Sequence, residues 1–394
     1  MSKEMSNLLL LGVGGGGGRL ATAIRTLYPG DMQVLCMDTD ETANREIQRN
    51  ADINCLLFGI DRLSGNGTRG DPMAGHDVYC DEFSDGPRTT RDPATGRETS
   101  RQNLLLLDIY LSETRTAVVL TCLGGGTGGG ATPELLQTLQ KKGIATFCIA
   151  THPFRCEGPS RQIEADRMSP QIKLHADALA DIRLDDLFDE TAEPTVSGAI
   201  EAANRMLASA VTLLWRLLSR PEFIHVDPER LHNLIMNGGG VRFGTAAASG
   251  NDRAAQLAGA LRRSRLLRVG ETANKAKALL VGILGGADLS VAEVNGIMAD
   301  LRGWYPPGCH IEMGVVIDPA FDGRTEVIVF AFENYAPDLP DPEFAMPSKP
   351  AKGAKKTAGG KTPESDRPQN AKPAMGDDRY DEPTFTRRRI RLER

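Results

Sequence analysis

Short unbroken apolar runs and longer periodic ones alternate along most of the chain. Asn7–Val13 (NLLLLGV), Gln33–Met37, Thr116–Cys122 (TAVVLTC) and Ile144–Thr151 (IATFCIAT) have the length and composition of buried strands. Between them, Arg19–Tyr28, Ser100–Leu111 (SRQNLLLLDIYL) and Thr132–Lys141 read as helices. A longer helix is predicted over Val196–Ser219, where Ile200, Ala203, Leu207, Val211, Leu214 and Leu218 recur at helical spacing and are mostly core. Residues 235–333 mix short helices with apolar runs such as Ala278–Leu284 (ALLVGIL) and Glu326–Phe332 (EVIVFAF), which supports a second α/β unit. Two stretches lack any apolar period. Asp81–Thr99 is expected to be a mobile surface loop, and Tyr335–Arg379, rich in Pro, Ala, Lys, Gly and Asp, is expected to be disordered.

The junctions between these elements carry the candidate chemistry. Gly124–Gly130 (GGGTGGG) stands between a strand and a helix, and Gly14–Gly18 repeats that arrangement after the first strand. A strand, a glycine turn and a helix start make an anion site, because unpaired N–H groups and the helix dipole both point at the ligand. Asp38-Thr39-Asp40 closes another strand, where open α/β sheets bind ligands, although Thr39 or Asp40 serves equally as a helix N-cap. Ser64–Pro72 (SGNGTRGDP) is a third glycine-rich turn. Parallel strands with glycine turns at one end imply a single nucleotide groove. Five consecutive glycines are not GxGxxG, which counts against a dinucleotide site, and a dehydrogenase would also need hydride-site residues that are not evident.

Composition narrows this only slightly. The 394 residues suffice for two packed domains, and a net charge of −6 gives no argument for nucleic acid. Seven cysteines, scattered and without paired spacing, fit reduced thiols in a cytoplasm and neither a zinc site nor a disulfide frame. The opening apolar run reads as a strand rather than a signal peptide, and no run is long enough to span a bilayer.

The runs GVGGGGG, MDTD, GGGTGGGATP and THPFRCEGPSR follow the order and spacing of the tubulin/FtsZ superfamily, and the chain resembles bacterial FtsZ proteins within it. The likeness continues through Ser249–Arg253 (SGNDR), Gly285–Ser290 (GGADLS) and Gly314–Asp318 (GVVID), and so covers residues 7 to 333. It implies an α/β fold of the tubulin/FtsZ type: a Rossmann-like nucleotide domain (1–195), a long central helix (196–219) and a second α/β domain (220–334). A disordered linker (335–379) and a partner-binding basic tail (380–394) follow. It also implies a GTPase that polymerises head to tail, with GTP or GDP as ligand and Mg²⁺ held through the phosphates, working in the cytoplasm at the division site on the inner face of the membrane. Carried over by position, Gly15, Gly16, Gly17, Gly18 and Arg19 join Gly125, Gly126, Thr127, Gly128 and Gly129 around the phosphates. Arg19 stands where the family has Asn. Glu157 and Arg161 fall in the ribose and phosphate region, where a carboxylate accepts from sugar hydroxyls and a guanidinium matches phosphate oxygens; the bland alternative is a surface pair at i, i+4. Asn204 and Arg205 fall at the base, with Ile200 in place of an aromatic ring.

Asp227 precedes Pro228 and Glu229, a helix start with the Asp as cap. In the family this loop enters the neighbouring subunit's nucleotide site, and two Asp residues orient the attacking water. Asp227 matches the first; the second falls on Arg230, which cannot accept a hydrogen bond. Three outcomes stay open: Glu229 replaces the lost carboxylate, Arg230 neutralises phosphate charge, or hydrolysis is slow. Reduced but present turnover is expected, with a filament scaffold that binds GTP without hydrolysing it as the alternative. In the tail, Asp381, Pro383, Phe385 and Arg387 match the peptide by which FtsZ proteins bind membrane tethers and regulators.

Overall fold

Four consecutive leucines open the first strand, and all four are buried, because this strand lies inside a sheet covered on both faces. The computed structural model describes residues 8–27, 32–51, 53–83, 89–91, 98–100, 102–191, 195–219, 224 and 226–335. The expected tail, with Asp381, Pro383, Phe385 and Arg387, and all of the expected linker beyond Tyr335 lie outside them. The strands are β1 (Leu8–Val13), β2 (Gln33–Asp38), β3 (Asn54–Leu57), β4 (Thr89–Arg91), β5 (Glu98–Ser100), β6 (Thr116–Cys122), β7 (Ala145–His152), β8 (Ala178–Arg183), β9 (Gly239–Ser249), β10 (Ala278–Gly285), β11 (His310–Ile317) and β12 (Arg324–Phe332). The helices of the first half are α1 (Gly14–Leu27), α2 (Glu41–Ala51), α3 (Ile60–Leu63), α4 (Pro72–Phe83), α5 (Gln102–Ser112), α6 (Gly126–Lys141), α7 (Pro159–His175) and α8 (Leu184–Thr191). Then come α9 (Val196–Ser219), α10 (Pro228–Met236), α11 (Arg253–Arg263), α12 (Val269–Thr272) and α13 (Val291–Trp304).

Ten strands form one sheet in the order β11-β10-β12-β9-β8-β7-β6-β1-β2-β3. From β3 to β8 every pairing is parallel, the Rossmann-like half. The second half is mixed: β12 pairs antiparallel with both β9 and β10, and β11 pairs parallel with β10. The halves meet where β8 and β9 pair over two positions only, Ala178↔Gly239 and Leu179↔Gly240. One apolar cluster runs under both halves. It joins Leu8, Leu10 and Phe147 to Leu280 and Phe330, and α9 contributes Leu207, Val211 and Leu214 to it. The other face carries separate cores under each half. No helix among the described residues is long and apolar enough to cross a membrane.

Two expectations shift in detail. The glycine runs enter the helices rather than only preceding them, since α1 begins at Gly14 and α6 at Gly126, with Gly124 and Gly125 left in the turn. Packing overrides the low helix propensity of glycine here: a Cβ on Gly17 would run into the carbonyl oxygen of Leu120 on β6. Within the expected loop 81–99, α4 continues to Phe83, and Thr89–Arg91 pairs antiparallel with Glu98–Ser100. Strands of three residues are too short for an apolar period to announce them.

Candidate functional site

The order of strands places a switch point between β1 and β6. From β1 the chain runs outward to β2 and β3, then returns to add β6 on the opposite side of β1. The crevice above such a point, at the carboxyl ends of the strands, is where open α/β sheets receive ligands. A cleft of about 620 Å³ lies there, lined by Val13 at the end of β1 and Cys122 at the end of β6. Gly14 and Gly124 make the turns out of these strands with φ of 71° and 82°, backbone that a side chain strains. The first turns of α1 and α6 touch, because a Cβ on Gly14 would lie 2.8 Å from the Gly128 nitrogen. Two helix N-termini therefore open into one cleft, with their unpaired N–H groups and positive dipole ends.

Of the residues expected to bind nucleotide, Gly15, Gly16, Arg19, Asp38, Gly125, Gly126, Thr127, Gly128, Glu157, Arg161 and Asn204 line this cleft. A Cβ on Gly125 would find nothing within 4 Å, and one on Gly15 would meet only side-chain ends at 3.5 and 3.9 Å, so both backbones face open space. The remainder stand behind the lining. Gly17 and Gly18 seat α1 against Leu120 and Ile47, and Gly129 faces Met168 of α7. The buried Thr39 hydroxyl shares a 2.7 Å hydrogen bond with Thr127 Oγ1, tying β2's end to the α6 turn. Arg205 turns aside, its guanidinium 3.8 Å from Glu201 and more than half exposed.

The electrostatics of the cleft are mixed. Burial pushes the Asp38 carboxyl up, against the N–H groups of Thr39 and Asp40 and the Thr127 hydroxyl, which favour its ionised form. Asp40 Oδ1 accepts from the nitrogens of Thr42 and Ala43, and so caps α2 as well as lining the cleft. Glu157 and Arg161 form the ion pair expected of a surface couple, at 2.6 Å, and still line the cleft. Arg19, Arg69 and Arg161 bring positive charge to the wall.

Sequence reasoning passed over several lining residues. The turn at 64–72 supplies Asn66, Gly67, Thr68 and Arg69, and only its glycine content marked it. Phe154, Leu184, Ala203 and Leu207 join Ile200, which the sequence did place at the base, in an apolar wall beside Asn204. Phe154 is the ring nearest in kind to the aromatic missing at Ile200, and it packs edge-on against Phe188 at 6.4 Å. An apolar wall with one amide, joined to a cradle of backbone N–H groups and guanidiniums, has the chemistry for a base at one end and phosphates at the other.

Asp227, Glu229 and Arg230 are not part of this cleft. Asp227 caps α10, accepting at 2.9 Å from the Glu229 nitrogen. The Glu229 carboxylate takes two bonds from Arg115, at 2.6 and 3.0 Å, which hold it below the usual carboxylate range and Arg115 above its own. Arg230 lies 3.4 Å from Glu312, which also meets His310 at 2.7 Å. Arg115 precedes the first residue of β6, whereas the cleft lies beyond its last. The seven residues of β6 put ~20 Å between the two sites. One chain cannot bring them together.

Residues 84–191 match the model of the Tubulin/FtsZ family, GTPase domain, and residues 239–333 that of the FtsZ family, C-terminal domain. Cell division protein FtsZ 1 of Archaeoglobus fulgidus is 31% identical over 253 residues, covering 62% of this chain and 68% of that protein. Cell division protein FtsZ of Coxiella burnetii is 26% identical over 357 residues, or 90% and 85% of the two chains. Among solved structures, an empty FtsZ dimer from M. jannaschii superposes with a TM-score of 0.71 at 22% identity, over 84% of this chain and 89% of that one. A GTPγS-bound protofilament of CetZ2 from Haloferax volcanii gives 0.64 at 23%, over 83% and 93%. With its cleft at the switch point, its long α9 and matches to both of the family's domains, the chain belongs to the tubulin/FtsZ family as a divergent FtsZ-like member that carries the family's GTPase domain.

Proposed function

We propose that this chain is a GTP-dependent, polymer-forming cytoskeletal protein of the cell-division ring, and that it hydrolyses GTP between subunits. The observation that carries the reading is the separation of two sites: a phosphate cradle at one edge of the parallel half-sheet and the Asp227 segment at the other. Stacking a second copy on the same axis sets the Asp227 edge of one subunit over the cleft of the next, which is the heterologous, head-to-tail contact that generates an open filament. Gly15, Gly16, Gly125, Gly126, Thr127 and Gly128 then hold the phosphates, Glu157 and Arg161 the ribose and phosphate region, and Asn204 the base. Mg²⁺ is carried in on the phosphates. Asp227 orients the attacking water, since water positioning in GTP hydrolysis needs an acceptor near the γ-phosphate. The chain divides into a nucleotide domain (1–195), a central helix (196–219), a second domain (220–334), a linker (335–379) and a tail (380–394). The tail's Asp381, Pro383, Phe385 and Arg387 recruit a membrane tether or division regulator, which holds the polymer on the inner face of the membrane.

A second reading has its own support: a filament scaffold that binds GTP and hydrolyses it poorly. Arg230 occupies the second acceptor position, and Glu229, the nearest substitute, is bound bidentately by Arg115. Phosphate release from GTP with Mg²⁺, followed against protein concentration, separates the two. A specific rate that appears only above a threshold concentration supports catalysis completed by a neighbour. GTP binding with no phosphate at any concentration leaves the scaffold, and a rate independent of concentration sinks the interface reading.

A further inference from the structure

Helices α4 and α6 lie nearly backbone to backbone. A Cβ on Gly75 would run into the carbonyl oxygen of Gly126, and one on Gly130 into that of Pro72. So close an approach forces the side chains of the next turn against each other. His76 and Cys80 are four residues apart and share a face of α4. Glu134 stands on α6, one turn after Gly130. His76 Nε2 lies 3.8 Å from Cys80 Sγ and 3.4 Å from Glu134 Oε1, and all three ligand atoms lie within 4.8 Å of one another. The supports are in place too. His76 Nδ1 lies 3.2 Å from Asp77 Oδ1, and Gln137 Nε2 donates to Glu134 Oε1 at 3.2 Å. Arg62 reaches Asp81 and Asp77, leaving the thiol and the Glu134 carboxylate to face the imidazole.

We propose that His76, Cys80 and Glu134 bind a zinc ion that clips α4 to α6. An imidazole, a thiolate and a carboxylate suit a borderline-soft divalent cation rather than Mg²⁺ or Ca²⁺. With metal–ligand lengths of about 2.0–2.3 Å, a tetrahedral site has ligand–ligand edges of roughly 3.3–3.8 Å, which two of the three separations already match. His76 and Glu134 keep 41% and 22% of their side chains exposed, so water can complete the fourth position. The Asp77 carboxylate on the far ring nitrogen fixes the imidazole with Nε2 toward the ion, the usual outer support of a zinc histidine. Binding displaces the thiol proton to solvent, so affinity rises with pH. Cysteine spacing predicted no zinc site because only one of the seven cysteines is used, and the third ligand comes from another helix. The clip lies outside the cleft, yet the turns that lead into α4 and α6, including Thr68, Arg69 and Gly125, line it. The inference does not depend on which nucleotide binds.

The test uses the full chain, stripped with chelator and kept reduced, and titrated with Zn²⁺ against a chromogenic chelator and separately with Co²⁺. One equivalent is expected to bind, with a thiolate-to-cobalt charge-transfer band in the near ultraviolet. Cys80→Ser should remove the band, and Asp77→Asn, on the ring's far side and not itself a ligand, should weaken binding about 10–100-fold. Cys156→Ser, at an exposed cysteine elsewhere, should leave binding as it is. Zn²⁺ should raise the thermal midpoint of the parent and not of Cys80→Ser. A cobalt complex of the parent without the thiolate band overturns the site, whatever the variants do. Equal stabilisation of parent and Cys80→Ser by Zn²⁺ overturns the clip.

Discussion

The two edges of the parallel half-sheet are built from different materials. At the carboxyl edge, two helix N-termini and the glycine turns Gly14–Gly16 and Gly124–Gly128 present main chain, and the side chains that matter stand around them. At the amino edge the main chain is closed by the α10 cap, and charged side chains do the presenting: Asp227, Arg115 with Glu229, and Arg230 with Glu312 and His310. A backbone cradle changes little when residues are exchanged around it. A charged rim changes with each one. Under the proposed function, Arg230 at an acceptor position is a change on the rim, whereas Arg19 and Ile200 change side chains around the cradle and leave its backbone as it is.

The largest effect should come from Asp227→Asn. The amide still caps α10, so the thermal midpoint should hold, but the carboxylate is gone, and turnover of GTP should fall about 10²-fold or more. Turnover at the parent rate would remove Asp227 from catalysis and leave only Glu229 and Arg230 on the amino edge to serve it. The cradle is broken next, by paired glycine variants. Gly15→Ala puts a methyl into open cleft and should fold normally while losing GTP affinity at least tenfold. Gly17→Ala drives a methyl into the Leu120 carbonyl and should cost about 1–3 kcal/mol of stability. Equal thermal midpoints for the two would erase the distinction between lining and seating glycines.

Arg230→Asp sharpens the comparison from the other side. It supplies an acceptor, although beside Glu312, and under the proposed function phosphate release should rise several-fold above the parent. A fall would mean that Arg230 itself serves the reaction. The smallest effect lies away from both edges, at the buried Arg253. Its guanidinium binds Glu293 and Asp288, and with the Ser290 cap it holds the Glu293 carboxyl down at about 2. A depressed carboxyl stabilises the fold above its unfolded pKa of about 4.3, and that contribution fades as pH falls toward 2. Carbon-detected titration of Glu293 should therefore show an acid midpoint near 2 in the parent, moving up in Arg253→Ala, with GTP affinity unchanged.

Much of this was legible in the residues. Thr116–Cys122 and Val196–Ser219 stand in the structure with the bounds that their apolar pattern gives, and the cap at Asp227 follows from Asp-Pro-Glu. Local rules carry those, since strand burial, helical period and capping are each decided within a few positions. The glycine runs showed where an anion would dock but not which glycines would face it. Gly15 and Gly17 are the same residue two positions apart, and only the approach of β6 separates open backbone from packed backbone. Likewise Thr68, Arg69 and Phe154 reach the cleft through turns whose course no periodicity encodes, and the meeting of His76, Cys80 and Glu134 follows from the backbone approach of α4 and α6 at Gly75 and Gly130. By itself, the sequence determined the elements, their order and the chemistry at their junctions, because those depend on neighbours along the chain. Tertiary structure alone decided which residues line the cleft and which stand behind it, and that Asp227 lies an entire strand away, because those depend on distances through space between segments the chain leaves far apart.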